Sequence, residues 1–224
     1  MEYQFTEPTQ DYLKAIYGLS QNDQSASTNA LAVRLGISPA SVTGMIQRLA
    51  SFDPPLVIYR KHQGVTLTKT GERAALEVIR RHRLIETYLV RSLGYRWDEV
   101  HSEAEKLEHV ISEDFESRIA KILGDPLRDP HGEPIPTSEL VMPDDSSVTL
   151  NVLRPEQRAR VNRVKADDPG FLRHVETLGL TPGAEVKIVA FSKFDHNLSM
   201  KINRQKTITL GDPVTSRIYV EVLS

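Results

Sequence analysis

The spacing of apolar residues over the first 50 positions predicts three helices. Apolar side chains recur with the helical period over 9–19 and again over 28–35. A glycine ends the second pattern, and Ser38 followed by Pro39 is typical of an N-cap and a first helical position. We therefore expect a third helix that runs from this cap to Leu49.

Two β-prone runs follow the third helix. They cover 57–60 and 65–68, and the short polar turn between them contains a glycine, which predicts a hairpin. Two helices joined by a glycine turn and followed by a hairpin are typical of a winged helix-turn-helix. The sequence therefore predicts such a domain over residues 1–71.

The rest of the pattern predicts a helical domain, a linker and a β-domain. Amphipathic runs at 71–93 and 101–123 predict two long helices in a domain over 72–125. Five of the thirteen prolines fall within 126–147, which we interpret as a linker. Six short β-prone runs within 148–224 predict a small β-barrel. The expected fold class is α+β.

Composition narrows the possible classes of protein. The chain has 224 residues, 39% of them hydrophobic and 26% charged, which is typical of a globular protein. It has no cysteine, which excludes disulfides, thiolate zinc sites and iron–sulfur clusters. No apolar run reaches the roughly 18 residues of a membrane helix, so we expect a cytoplasmic protein without a membrane partner.

Imidazole and carboxylate side chains recur at helical spacing in the middle of the chain. His101, Glu105, Glu108 and His109 fall on one face of a helix, and His82 with Glu86 repeats the four-residue spacing one helix earlier. Residues 101–125 carry a net charge of −4. Nitrogen and carboxylate oxygen donors on adjacent turns suit a divalent first-row metal.

Other interpretations of these residues exist. The acidic segment could be an ordinary solvated helix face. A carboxylate-bridged di-metal enzyme needs two Glu-x-x-His pairs on facing helices, and the spacing here does not match that pattern. A metal-free winged-helix regulator would leave the helical spacing of the histidines and glutamates unexplained.

The third helix and the hairpin carry candidate DNA contacts. Ser38, Pro39, Ser41 and Thr43 are small side chains suited to a close approach to phosphates and thymine methyl groups. At the hairpin tip, Arg60 and Lys61 are candidate phosphate or minor-groove contacts. They could equally belong to a solvated turn.

The order of these features resembles the metal-dependent transcriptional repressors of the diphtheria toxin repressor family. The resemblance covers nearly the whole chain. It rests on seven segments: DYLKAIY at 11–17, SPASVT at 38–43, LTKTG at 67–71, RHRLIE at 81–86, EKLEH at 105–109, HGEPIP at 131–136 and LGLTPG at 178–183. It implies an SH3-like C-terminal domain.

The resemblance also implies two metal sites. A primary site would use Asp11, Glu105, Glu108 and His109. A second site would use His82, Glu86 and His101, with a carboxylate from the C-terminal domain, either Asp167 or Asp168. His131 and the three other histidines have no such partners in the sequence and are interpreted as structural or surface residues.

The resemblance finally implies a function. Hard oxygen and imidazole donors favour Mn²⁺, with Fe²⁺ as the alternative. We expect a homodimer built on the long helices, which binds double-stranded operator DNA and represses metal-uptake genes when a metal is bound. No catalytic chemistry is expected.

Overall fold

The helices and strands of the N-terminal part form where the sequence pattern predicts them. A computed structural model describes residues 5–20, 25–166, 168–203 and 207–223. Its first elements are α1 (Glu7–Leu19), α2 (Thr28–Leu35), α3 (Pro39–Ala50), β1 (Val57–Arg60) and β2 (Gly64–Leu67). The two strands pair in antiparallel register. The predicted winged helix-turn-helix is confirmed.

Local signals explain the start of α3. Gly36 ends α2 with φ of 67°, a left-handed conformation that glycine adopts without a steric penalty. The Ser38 hydroxyl then accepts a hydrogen bond from the Ser41 backbone N–H at 3.1 Å, and Pro39 occupies the first turn. The apolar residues Val42, Ile46 and Leu49 face the core of this part of the chain.

The middle of the chain departs from the prediction of two long helices. Helix α4 (Lys69–Leu93) matches its pattern, but the predicted helix over 101–123 is two helices, α5 (Val100–Leu107) and α6 (Glu113–Ile122). The Ser112 hydroxyl caps α6 by accepting from the Phe115 N–H at 3.2 Å. Because this cap restarts the helix, Glu108 and His109 lie in a turn and not on a continuous helix face.

The C-terminal part is a six-stranded antiparallel sheet with the helices α7 and α8. Its elements are β3 (Val148–Thr149), β4 (Arg158–Val164), α7 (Pro169–Thr177), β5 (Glu185–Phe191), β6 (Leu198–Ile202), β7 (Thr207–Leu210), α8 (Asp212–Thr215) and β8 (Ile218–Leu223). The strand order is β3-β8-β4-β5-β6-β7. Buried aliphatic side chains of the sheet and α7 form its core. The predicted SH3-like domain and the α+β class are confirmed.

The structure divides the chain into two compact units. The first unit holds residues 1–82, 108–111 and 136–142, and the second holds 83–107, 112–135 and 143–224. Among the described residues, no helix is long and apolar enough to cross a membrane.

The linker of the second unit is packed against strand β4. Gly132 has φ of 88°, and a Cβ at this position would lie 1.9 Å from the backbone oxygen of Asn162. The Val164 N–H also donates to the His131 backbone oxygen at 2.9 Å. This close approach requires glycine, and it fixes the position of the neighbouring His131.

Candidate metal sites and DNA-binding face

In the first unit, α1 and the turn after α5 bring three carboxylates and an imidazole together. His109 Nε2 lies 3.1 Å from Asp11 Oδ1 and 3.4 Å from Glu108 Oε1. Glu7, Asp11 and His109 each offer a ligand atom, and these atoms lie within 4.8 Å of one another. We call Glu7, Asp11, Glu108 and His109 the first-unit cluster.

The His109 ring is oriented by a hydrogen bond on its far side. Its Nδ1–H donates to Gln10 Oε1 at 2.5 Å, since the amide oxygen can only accept. The Nε2 lone pair is therefore directed at the carboxylates of Asp11 and Glu108. A lone pair facing carboxylate oxygens is repulsive unless a proton or a metal ion lies between them.

Glu108 is the buried carboxylate of the first-unit cluster, with a side chain 1% exposed. It accepts from Lys14 Nζ at 2.8 and 2.9 Å and from His82 Nδ1. Burial alone would raise the pKa of Glu108, but these two partners hold it below its usual value. For Asp11, partial burial outweighs the nearby cations and raises the pKa.

In the second unit, Glu86 on α4 contacts His101 on α5. Glu86 Oε1 lies 3.1 Å from His101 Nδ1, and Glu105 Oε1 lies 3.4 Å from His101 Nε2. Hydrogen bonds with Glu105 and Glu86 raise the pKa of His101 to about 9. The imidazole is therefore largely protonated at neutral pH when no metal is bound.

The linker adds a second imidazole beside the same glutamate. His131 is fully buried, and its Nδ1 lies 3.6 Å from Glu86 Oε2 and 4.0 Å from Asp129 Oδ2. Both distances are too long for a hydrogen bond, and within the described parts of the chain this nitrogen has no hydrogen-bond partner. Its ligand atom and those of Glu86 and Asp129 lie within 4.8 Å of one another. We call these three residues the second-unit cluster.

The His131 ring is oriented in the same way as that of His109. Its Nε2–H donates to the Trp97 backbone oxygen at 2.6 Å, and its ring stacks on the Trp97 indole. Asp129 Oδ1 is occupied by two backbone N–H groups, those of His131 and Glu133, which leaves Oδ2 to face the imidazole. The Nδ1 lone pair and two carboxylate oxygens therefore converge on one point.

The electrostatics of the second-unit cluster favour a cation. Burial and the neighbouring Glu86 charge raise the pKa of Asp129 to about 7. Burial would lower the pKa of His131, but the carboxylates of Glu86 and Asp129 raise it to about 9. A buried nitrogen without a hydrogen bond, facing two buried carboxylates, fits a divalent ion with hard donors.

Within each unit, the structure brings several of the sequence-predicted ligands into contact. Asp11, Glu108 and His109 meet in the first unit, where His82 contacts Glu108. In the second unit, Glu86 contacts His101, which also contacts Glu105.

Asp168, the predicted ligand from the C-terminal domain, has a structural role at the start of α7. Asp168 Oδ1 accepts from the backbone N–H groups of Gly170 at 2.8 Å and Phe171 at 3.2 Å, so its carboxylate caps α7. Among the described residues, no metal-binding group of side chains includes it. The Asp-Pro pair that opens a helix was a readable capping signal. The alternative, Asp167, lies outside the described residues.

Two residues of the second-unit cluster, Asp129 and His131, were not predicted as ligands from the sequence. They lie in a segment without helix or strand, so no helical spacing connects them to Glu86. The Asp-Pro-His-Gly sequence was the only signal, because its glycine marks a close backbone approach.

The predicted DNA contacts lie on the surface of the winged helix. Ser38, Pro39 and Ser41 at the start of α3 are exposed, as are Arg60 and Lys61 in the hairpin. Thr43 is half-buried, and its hydroxyl donates to the Pro39 backbone oxygen at 3.0 Å.

The same helix exposes two residues that sequence analysis overlooked. Gln47 and Arg48 face solvent one turn further along α3. Their amide and guanidinium groups can read adenine and guanine edges.

Comparison with family models assigns all three parts of the chain. Residues 4–65 match the iron dependent repressor N-terminal DNA binding domain, and residues 68–137 match the iron dependent repressor metal binding and dimerisation domain. Residues 148–222 match the FeoA domain.

Individual relatives match over nearly the whole chain. The iron-dependent repressor IdeR of Mycobacterium leprae is 31% identical over 225 residues, covering 95% of this chain and 96% of that protein. The diphtheria toxin repressor of Corynebacterium diphtheriae is 28% identical and covers 96% of this chain and 97% of its own length. A solved manganese-dependent transcriptional repressor in complex with manganese is 40% identical, with a TM-score of 0.89 over 96% of this chain and all of that one.

A winged helix combined with imidazole and carboxylate clusters defines a metal-dependent DNA-binding regulator. The chain belongs to the diphtheria toxin repressor family, with a FeoA-like C-terminal domain. It is a metal-dependent transcriptional repressor and not an enzyme, and its partners are DNA and a second copy of itself.

Proposed function

We propose that Mn²⁺ is the metal that activates this repressor. Every ligand in the first-unit and second-unit clusters is a carboxylate oxygen or an imidazole nitrogen, and the chain has no cysteine. Hard oxygen donors with imidazole suit Mn²⁺ better than softer metals. The 40% identical structure with bound manganese supports this choice.

Fe²⁺ is the second candidate. The IdeR relative, 31% identical over nearly the whole chain, is an iron-dependent repressor by name. Carboxylate and imidazole donors also bind Fe²⁺, which stands one step above Mn²⁺ in the general order of affinities. Donor chemistry therefore favours Mn²⁺ only by the absence of soft ligands, and a titration must decide between the two ions.

The observation that carries the proposal is shared by the two clusters. In each, one imidazole nitrogen donates to an oxygen acceptor, Gln10 Oε1 for His109 and the Trp97 backbone oxygen for His131. The other nitrogen faces carboxylates. A bound divalent ion would supply the positive charge that these donors share.

In the first unit, the ligands would connect α1 to the turn at Glu108 and His109. Asp11 lies on α1, which packs in the same core as α3, the DNA-reading helix. Holding Asp11 and His109 together would restrict the movement of α1. Metal binding would then favour the DNA-competent arrangement, and DNA binding would raise metal affinity by the same factor. Glu105 stays a proposed additional ligand, as the sequence suggested.

In the second unit, the ligands would connect the linker to α4. Glu86 lies on α4, and Asp129 with His131 lies on the linker segment that packs on β4. The Trp97 indole, which stacks on His131, also packs against the core of the C-terminal sheet. The ligands of this cluster would therefore hold the C-terminal sheet against the helices of the second unit.

We further propose that the dimer presents two α3 helices to a near-palindromic operator upstream of metal-uptake genes, in the cytoplasm where such DNA lies. Exposed apolar residues on α6, Phe115 and Ile122, are candidates for the dimer interface. Gln47 and Arg48 join the sequence-predicted residues of α3 as candidate base contacts.

The test is a DNA-binding titration with several metals in parallel. Operator fragments would first be selected from a random duplex library with Mn²⁺ present. Fluorescence anisotropy would then measure affinity against Mn²⁺, Fe²⁺ and Zn²⁺. We expect saturating Mn²⁺ to strengthen DNA binding more than saturating Zn²⁺ does, because coordination geometry and not raw affinity selects the metal. We also expect Glu105→Ala to weaken the metal response, whereas His174→Ala, at an exposed position on α7, leaves it unchanged.

A further inference from the structure

Lys14 occupies a position among metal-donor atoms. Its Nζ lies 2.8 and 2.9 Å from the two carboxylate oxygens of Glu108 and 3.1 Å from His82 Nδ1. The Lys14 side chain is 19% exposed and that of Glu108 is 1% exposed. The Lys14 ammonium therefore donates to both carboxylate oxygens of Glu108 and lies beside the Nδ1 of His82, where a divalent ion could otherwise bind.

The ligands around Glu108 thus form two compartments. One contains Glu7, Asp11 and His109 Nε2, whose ligand atoms lie within 4.8 Å of one another. The other lies between Glu108 and His82, where the Lys14 ammonium is placed. Glu108 Oε1 borders both, since it is 3.4 Å from His109 Nε2 and 2.8 Å from Lys14.

The charges of the cluster match a single divalent ion. With the carboxyl groups ionised and the imidazoles of His82 and His109 neutral, Glu7, Asp11 and Glu108 carry three negative charges, and Lys14 contributes one positive charge. The remaining two negative charges are neutralised by one divalent cation. Burying further positive charge beside Lys14 would be unfavourable in a site of low dielectric.

We propose that Lys14 is a built-in cation that closes the Glu108–His82 compartment and limits the first-unit cluster to one divalent ion. This inference rests on the proposed metal function of that cluster. It makes Lys14 the residue that determines metal stoichiometry. Replacing it with a carboxylate would convert a one-metal site into a two-metal site.

The experiment counts bound Mn²⁺ by EPR in full-length protein that carries His131→Gln, which removes a ligand of the second-unit cluster. With Lys14 present, we expect one tightly bound Mn²⁺ per protomer and the spectrum of an isolated ion. With Lys14→Glu we expect a second bound ion. Two Mn²⁺ ions bridged by Glu108 would lie about 4 Å apart, so their spectrum would show a magnetically interacting pair with half the usual hyperfine splitting.

Three further variants complete the design. Lys14→Arg keeps the charge and should keep one ion. Lys14→Leu removes the charge without adding a ligand, and should bind one ion about tenfold more tightly. Lys187→Glu makes the same charge reversal on the C-terminal sheet and should leave the count unchanged. If Lys14→Glu folds poorly without metal, Mn²⁺ should raise its melting temperature more than that of the parent.

The outcomes separate this inference from the proposed function. Two ions in the first-unit cluster with Lys14 present, or one ion after Lys14→Glu, would overturn the role of Lys14. An unchanged or weaker affinity in Lys14→Leu would also overturn it. If His131→Gln removes no ion from the wild-type count, the second-unit site is wrong, while the comparison of Lys14 variants still stands.

Discussion

Mn²⁺ binding to the second-unit cluster should release protons in a number that the structure predicts. Without metal, the pKa of His131 is raised to about 9 and that of Asp129 to about 7. Both groups bind metal only after losing their protons, so acid competes with the metal. At pH 7 binding should therefore release at least one proton, mainly from His131, with a further fraction from Asp129. One released proton corresponds to an affinity that rises about 100-fold between pH 6 and pH 8, and the contribution of Asp129 makes the rise steeper.

Isothermal titration calorimetry under anaerobic conditions would measure this release. Titrations of Mn²⁺ in buffers with different ionisation enthalpies give the proton number at each pH. The His131→Gln variant keeps the first-unit cluster, so its signal can be subtracted from that of the wild type. The assignment of metal to Glu86, Asp129 and His131 would be refuted if the wild type and His131→Gln released the same number of protons at pH 7. It would also be refuted if the Mn²⁺ affinity of this site did not change between pH 6 and pH 8.

Three further predictions concern single positions. Gly132→Ala should destabilise the protein by more than about 1 kcal/mol in urea unfolding, because the added methyl group collides with the backbone of Asn162. The same variant should weaken Mn²⁺ binding at the second-unit cluster. Unchanged stability would contradict the close packing of the linker. Asp168→Ala should lower the free energy of unfolding by about 1 kcal/mol, because α7 loses its cap, and should leave the number of bound Mn²⁺ ions unchanged. Loss of a bound ion in this variant would show that Asp168 is a metal ligand. Ser38→Ala should lower the free energy of unfolding by a similar amount and weaken DNA binding, while Mn²⁺ binding stays unchanged. Equal DNA affinity in this variant and the wild type would show that the α3 cap is dispensable.

The winged helix and the strands could be predicted because their signals are local. The Ser38 cap, the glycine turn and the period of apolar residues are all encoded within a few positions, and the structure follows them within one or two residues. The sheet order could not be read in this way. Strand β8 pairs with both β3 and β4, and only packing of the complete core selects those neighbours.

The candidate metal clusters could be predicted only in part. Glu108 and His109 were assigned to a helix face, but the Ser112 cap interrupts the helix and places them in a turn. They still contact α1 because the turn belongs to the same compact unit. His131 could not be found from spacing, because the packing of Gly132 on β4 and the hydrogen bond to Trp97 bring it to Glu86.

The central claim is that divalent metal, bound by buried imidazoles and carboxylates, controls DNA binding by this repressor. The most direct test is the anisotropy of labelled operator DNA titrated with wild-type protein, with Mn²⁺ and with a chelator. We predict that saturating Mn²⁺ strengthens binding by on the order of 100-fold, and that the chelator reverses the effect. Equal affinity with and without Mn²⁺, Fe²⁺ and Zn²⁺ would contradict it.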